Sequence, residues 1–466
     1  MAQTLALKTY QSTAVEFAYQ TKNSALWLEM GLGKTAITLE TINHLLVCNE
    51  VQKVLVVAPK RVVTDVWPAE IDKWDAFADI RYTVLQGSPA ERKRLLPQVL
   101  PHYDVFIVNY EMLAWWCEWC GKDWPFDMVI FDESTRMKNH AAKRVRAYRT
   151  KAMKHVDRCL QLTGTPAPNG LINLWMPIYL LDRGERLGKT LGAFRTKWFK
   201  QIGAREWQKY QPLPDADDEI HNACKDICLS MRTADHIELP ELIDNVIPVH
   251  LPANLKRDYL CLEHDMYVEL EGQPIEVFYS SAAVAKCIQF ANGAVYHDNA
   301  HGDRTWTNVH DLMLDALDSI IEEANGAPML VAYWFNFDLE KLKKRYPHGV
   351  TLTEDEDAVR DWNSGKIDLL FVQPGSGGLG LNLQDGGNVM TWFGPIPSRD
   401  LEIYEQMNAR LRRPGQRSST VTIHTIVVAD TVHEIILNSL VAKASVQDLL
   451  MERMKRSGVN THARST

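Results

Sequence analysis

Apolar residues fall in short runs along the first third of the chain, and amphipathic stretches separate them. The runs Ala25–Met30, Val54–Pro59, Tyr103–Tyr110, Phe126–Asp132 and Cys159–Gly164 have the length of buried strands. Between them, Thr35–Leu46 and Ala90–Val99 carry helical periodicity. Strands alternating with helices predict a parallel sheet, with ligands at the carboxyl ends of its strands. The pattern returns at Met329–Phe335, Val350–Thr353, Asp368–Val372, Asn388–Phe393 and Val421–Val428. The stretch between, from about 171 to 325, reads as mostly helical. The expected architecture is therefore α/β: two parallel-sheet lobes with a helical insertion. The expected bounds are 1–175 for lobe 1, 176–325 for the insertion, 326–445 for lobe 2 and 446–466 for a terminal helix and tail.

The 466 residues are 46% hydrophobic and 24% charged, which is ordinary globular usage. The start, MAQTLALKTYQ, has no apolar signal core, and no apolar run approaches a membrane span. A soluble, unexported protein with reduced cysteines is expected. Cys117-x-x-Cys120 and Cys224-x-x-x-Cys228 do not match each other's spacing, so no zinc site is assigned. The net charge of −8 argues against a general affinity for nucleic acid, but a local stripe escapes that average. From Arg136 to Arg158 there are nine Lys/Arg and one Asp.

Candidate chemistry begins at Met30-Gly-Leu-Gly33-Lys34-Thr35, which follows an apolar run and opens a helix. Glycines at 31 and 33 let backbone N–H groups cradle phosphate oxygens. Lys34 offers a point charge to the β- and γ-phosphates, and Thr35 a hydroxyl to Mg2+. Leu28 stands where the full phosphate-loop pattern has glycine. A second apolar run ends in Asp132-Glu133. Asp132 is placed to hold magnesium, and Glu133 to orient or deprotonate water. The two elements together point to a nucleotide triphosphatase. Near the C-terminus, Ser398–Arg413 reads as a helix with Gln406, Arg410 and Arg413 on one face. Arginines from a second lobe suit an arginine finger supplied in cis.

These residues, in this order, resemble the SWI/SNF-related (sucrose-nonfermenting) family of superfamily 2 helicases and DNA translocases. Leu7-Lys-Thr-Tyr10-Gln11 resembles the adenine-reading segment, and Glu29-Met-Gly-Leu-Gly-Lys-Thr35 resembles motif I. Val57-Ala-Pro59-Lys60 with Trp67 resembles motif Ia, and Asp132-Glu-Ser-Thr-Arg136-Met-Lys138-Asn139 resembles motif II. Leu162-Thr163-Gly164-Thr165-Pro166 resembles motif III. Gly377-Gly378-Leu-Gly380-Leu-Asn382 resembles motif V, and Gln406-Met-Asn-Ala-Arg410-Leu-Arg-Arg413 motif VI. Motif II lacks the common histidine, and Trp392-Phe393-Gly-Pro-Ile-Pro replaces the family's Trp-Asn-Pro stretch. Both departures look like compact bacterial or phage members.

The resemblance implies two RecA-like lobes and an ATP- and Mg2+-dependent motor on double-stranded DNA. It implies that ATP is bound by Gln11, Gly31, Gly33, Lys34, Thr35, Gly380 and Gln406. The metal falls to Asp132 and Thr35, and catalysis to Glu133, Arg410 and Arg413. Thr163 and Thr165 couple hydrolysis to movement. DNA phosphates fall to Lys60, Arg61, Asn109, Lys138, Gly378 and Asn382. The alternatives are a strand-separating DNA or RNA helicase, or the motor subunit of a nuclease or restriction system. A partner nuclease or replication or recombination protein is left open. The cytoplasm of a bacterium or phage-infected cell is the expected compartment.

Overall fold

The computed structural model describes residues 3–168, 170–202, 209–268, 281–298, 304–352, 357–375, 381–397 and 400–443. Gly378, Gly380, most of Glu354–Asp357 and the expected tail 446–466 lie outside the described residues. The chain divides into two compact units, Met1–Ile237 and Glu238–Ala444.

The first unit is built on β1 (Asn23–Leu28), β2 (Val54–Ala58), β3 (Tyr82–Val84), β4 (Val105–Asn109), β5 (Met128–Asp132) and β6 (Arg158–Thr163). A hairpin of β7 (Phe199–Ile202) and β8 (Lys209–Pro212) follows, and then β9 (Cys228–Met231). The sheet order is β3-β4-β2-β5-β6-β1-β9, and every pair in it is parallel. The continuous apolar runs follow from this: both faces of the strands are covered, so both sets of alternating residues are buried. Leu55, Val57, Phe106, Val108, Val129 and Phe131 enter one core. Val54, Val56, Val105, Ile107, Met128 and Ile130 enter the other.

Five helices of this unit position the site: α1 (Thr9–Gln20), α2 (Lys34–Val47), α3 (Trp67–Lys73), α4 (Pro89–Val99) and α5 (Tyr110–Cys120). Each has a local reason to start where it does. Ser88 caps α4 in a reciprocal box with Glu91, and Pro89 occupies its first turn. Asn109 caps α5 through its side-chain oxygen.

The second unit holds β10 (Glu241–Val249), a separate hairpin of β11 (Ala294–Asp298) and β12 (Arg304–Asn308), and then β13 (Met329–Ala332), β14 (Val350–Thr351), β15 (Leu369–Val372), β16 (Val389–Trp392) and β17 (Thr420–Val428). Its sheet runs β10-β17-β16-β13-β15-β14, again parallel throughout. Val331, Phe371 and Val428 pack on one face, and Leu330, Leu370 and Ile423 on the other. Each unit is thus a parallel-sheet α/β lobe, as expected.

The stretch 176–325 differs from its mostly helical reading. It supplies helices, among them Leu191–Trp198 and Ala253–Val268, but also β9 to the first sheet and β10 to the second. Among the described residues no helix is long and apolar enough to cross a membrane.

Candidate active site

The strand order decides the site. β5, β6 and β1 are neighbours, so the loops after them meet at one end of the sheet. Those loops carry Asp132-Glu133, Thr163–Thr165 and Gly31–Thr35.

Gly31 and Gly33 both take positive φ, +86° and +80°. That is the left-handed region where a side chain is strained. A Cβ at Gly33 would also stand 2.5 Å from Gln11 Nε2. Gly33 caps α2, and Lys34 and Thr35 form its first turn, so the positive end of the helix dipole points at the loop. Lys34 Nζ donates to the Leu28 carbonyl at 2.9 Å. It also faces the turn after β6: a Cβ on Gly164 would lie 3.7 Å from it. Gln11 comes from α1. Its Oε1 accepts from the Lys8 N–H at 2.9 Å, and its Nε2 donates to the Leu32 carbonyl at 3.1 Å.

Asp132 is buried at the end of β5, and burial pushes its carboxyl above the usual range. The Trp67 indole, which donates to Oδ2 at 2.9 Å, and the Lys34 charge both act against that shift. Glu133 takes φ +59°, a left-handed conformation uncommon for a glutamate. The Tyr110 hydroxyl holds that turn by donating to the carbonyls of Asp132 at 2.9 Å and Glu133 at 3.2 Å. Arg136 and Arg144 lie over the Tyr110 ring, and Arg144 donates to the Arg136 carbonyl. Tyr110→Phe removes only the bonding hydroxyl. It is expected to lower ATP turnover several-fold and stability by about 1 kcal/mol, read by steady-state ATPase and urea unfolding.

In the third loop, Thr163 Oγ1 accepts from the Thr165 N–H at 3.1 Å, and both residues are buried. The Asp132 carboxylate and the Thr35 hydroxyl are hard oxygen donors of the kind a divalent cation takes. Among the described residues no three His, Cys, Asp or Glu side chains are grouped to hold a metal alone. A magnesium ion here would therefore share its ligands between Asp132, Thr35 and phosphate oxygens, as that ion prefers.

In the second unit, the expected helix carrying Gln406, Arg410 and Arg413 needs correction. The helix is Leu401–Asn408, so both arginines lie past its end, and one helical face does not align them. The chain tightens there: the Arg410 N–H bonds to the Met407 carbonyl, and that of Leu411 to Asn408. The arginines still converge. Arg410 Nη1 donates to the Leu381 carbonyl at 3.1 Å, and Arg413 Nη1 bonds Asn382 Oδ1. Burial lowers the pKa of Arg413. Gln406 is buried, with Nε2 3.4 Å from Glu402 Oε1.

The expected DNA-contacting residues divide. Lys60 and Asn382 are exposed, and Arg61 and Lys138 are part-exposed. Asn109 is 8% exposed, and its oxygen caps α5 at 3.1 Å from the Met112 N–H. That cap uses the side-chain oxygen alone. Within the basic stretch, Arg158 is buried against Glu50 at 2.7 Å, whereas Arg146, Lys151 and Lys154 are exposed. Of the tryptophans, Trp116 and Trp124 belong to the core. Trp115 and Trp119 stack at 5.4 Å, with Arg92 over Trp115.

The profile of the SNF2-related domain matches residues 10–294, more than half of the chain. The chain belongs to the SNF2-related family. Its members are DNA-dependent ATPases of superfamily 2, and ATP is their nucleotide. This SNF2-related chain is 40% identical over 460 residues to protein p41 of Acyrthosiphon pisum secondary endosymbiont phage 1, covering 96% of itself and 98% of that protein. It is 24% identical over 498 residues to the nuclear protein STH1/NPS1 of Saccharomyces cerevisiae, but spans only 35% of that protein's length. Among solved structures, the SWI2/SNF2 ATPase core of Sulfolobus solfataricus in complex with dsDNA aligns over 98% of this chain and 96% of its own. The identity there is 18% and the TM-score 0.44.

Roles for Trp67, Tyr110 and Thr233 were not assigned from sequence. Trp67 and Tyr110 stand close to recognised motifs, but only the fold brings them to Asp132.

Proposed function

We propose that this protein is an ATP-driven translocase on double-stranded DNA. The observation that carries the reading is the convergence of Lys34, Asp132 and Thr163–Thr165 at adjacent strand ends, in an SNF2-related chain with a second parallel lobe. Gly31, Gly33, Lys34 and Thr35 bind the phosphates, and Gln11 serves the adenine. Gln406 and Gly380 serve the nucleotide as well. Asp132 and Thr35 would hold magnesium, which when bound neutralises charge between the phosphates. Glu133 orients the attacking water and takes its proton. Arg410 and Arg413 supply positive charge to the transferred phosphoryl group. Thr163 and Thr165 couple hydrolysis to movement.

Lys60, Arg61, Lys138 and Asn382, with Gly378, hold DNA phosphates without regard to sequence. The likeness to a phage protein over nearly its whole length supports a place in the cytoplasm of a bacterium or infected cell.

Steady-state ATPase with matched duplex, single-stranded and branched DNA at fixed salt tests the reading. Duplex is expected to stimulate most, and the stimulation to fall steeply as salt rises. Strong activation by single strands or RNA, with none by duplex, selects the strand-separating helicase instead.

A further inference from the structure

The phosphate loop is held from behind by the segment that leads out of Met1–Ile237. Thr233 lies four residues before Ile237, where that stretch ends. It is 2% exposed. Its hydroxyl donates to the Met30 carbonyl at 2.8 Å, and its N–H to Glu29 Oε2 at 2.8 Å. The Glu29 N–H donates to the Met231 carbonyl at 3.2 Å. Three residues on, the His236 ring stacks on Tyr10 at 4.7 Å, next to Gln11.

Together with the bonds already described, the carbonyls of Leu28, Met30 and Leu32 each accept from a different side chain. Lys34 takes the first, Thr233 the second and Gln11 the third. A peptide unit is planar and trans, so its C=O and N–H point in opposite directions. Fixing the Met30 carbonyl towards Thr233 turns the Gly31 N–H away from that segment. Fixing the Leu32 carbonyl towards Gln11 turns the Gly33 N–H away likewise. An anion cradle needs those N–H groups aimed inward before the ligand arrives. Glycines alone permit the orientation but do not impose it, since they have more freedom than any other residue.

We propose that Thr233 is a positioning residue for ATP: it fixes the phosphate loop through the Met30 carbonyl, from the segment that leads directly into the second unit. The same bond makes the loop's geometry depend on where that segment lies. This inference rests on the assignment of Gly31–Thr35 as the phosphate site.

The test compares Thr233→Val and Thr233→Ser with the unaltered full-length protein. Equilibrium ATP titration and duplex-stimulated ATPase are read in each, with thermal unfolding alongside. Valine keeps the shape and loses the hydroxyl. It is expected to weaken ATP binding about tenfold and raise KM equally, with little change in kcat, as one lost hydrogen bond warrants. Serine keeps the hydroxyl and is expected to bind and unfold as the unaltered protein does, whereas valine is expected to unfold a few degrees lower for the lost buried bond. Unchanged affinity in Thr233→Val overturns the proposal. So does equal weakening in Thr233→Ser, which would mean that the methyl group's packing matters and the hydroxyl does not. Should the unaltered protein bind ATP without hydrolysing it, the motor reading fails, and the titration still decides the role of Thr233.

Discussion

Lys34→Ala is expected to lower ATPase activity by roughly 100- to 1000-fold, the cost of removing one preorganised charge from a transition state. The ammonium sits 2.9 Å from the Leu28 carbonyl, close to the turn at Gly164, and its charge reaches Asp132. No other side chain in the loop carries positive charge. Alanine is a good helix former, so α2 should survive, which circular dichroism checks. Lys34→Arg is expected to fail as well, because a planar fork cannot replace a compact point charge at that position. Turnover within tenfold of the unaltered protein in Lys34→Ala would sink the phosphate-site assignment.

Glu133→Gln should bind ATP with unchanged affinity and hydrolyse it roughly 100- to 10,000-fold more slowly, the usual range for losing a general base. The two side chains have the same shape. The Tyr110 hydroxyl grips main-chain carbonyls at this turn, so the left-handed conformation at 133 does not depend on the carboxylate. The variant therefore separates binding from chemistry. Single-turnover hydrolysis with a parallel nucleotide titration reads both. A variant that hydrolyses at the original rate removes Glu133 from the mechanism.

Both effects concern residues legible in the sequence, and the reason is physical. Five of the seven strands in the first lobe's sheet, β1, β2, β4, β5 and β6, are buried on both faces, so each stands out from its surroundings as an apolar run. Observed strands such as Val54–Ala58 and Met128–Asp132 lie within the expected runs. The chemistry sits at their ends because loops there need glycine or a carboxylate.

What the sequence hid depends on neighbours distant in the chain. β9 is four residues long and becomes a strand because β1 offers it an edge. β10 pairs along its full length with β17, 179 residues away by the pairing of Glu241 with Thr420, and it is largely exposed. Only Ile247 and Val249 of its apolar residues pack against a core, so no continuous apolar run marks it. Ala409–Arg413 has local helical character, but tertiary bonds override it. Arg410 is drawn to Leu381, Arg412 to the Pro240 carbonyl, and Asn408 is held by the Trp392 indole. Thr233 was hidden for the same reason: 203 residues separate it from Met30.

The cysteines have a practical consequence. All eight are free, and six are buried. Burial drives those thiols upward, Cys120 and Cys159 to about 12, so few of them exist as the reactive thiolate. Cys48 and Cys261 are exposed, and they belong to different units. The natural chain is thus ready for a pair of maleimide dyes, one on each lobe, without any engineered cysteine. Energy transfer between them would follow the two units through ATP binding and hydrolysis one molecule at a time.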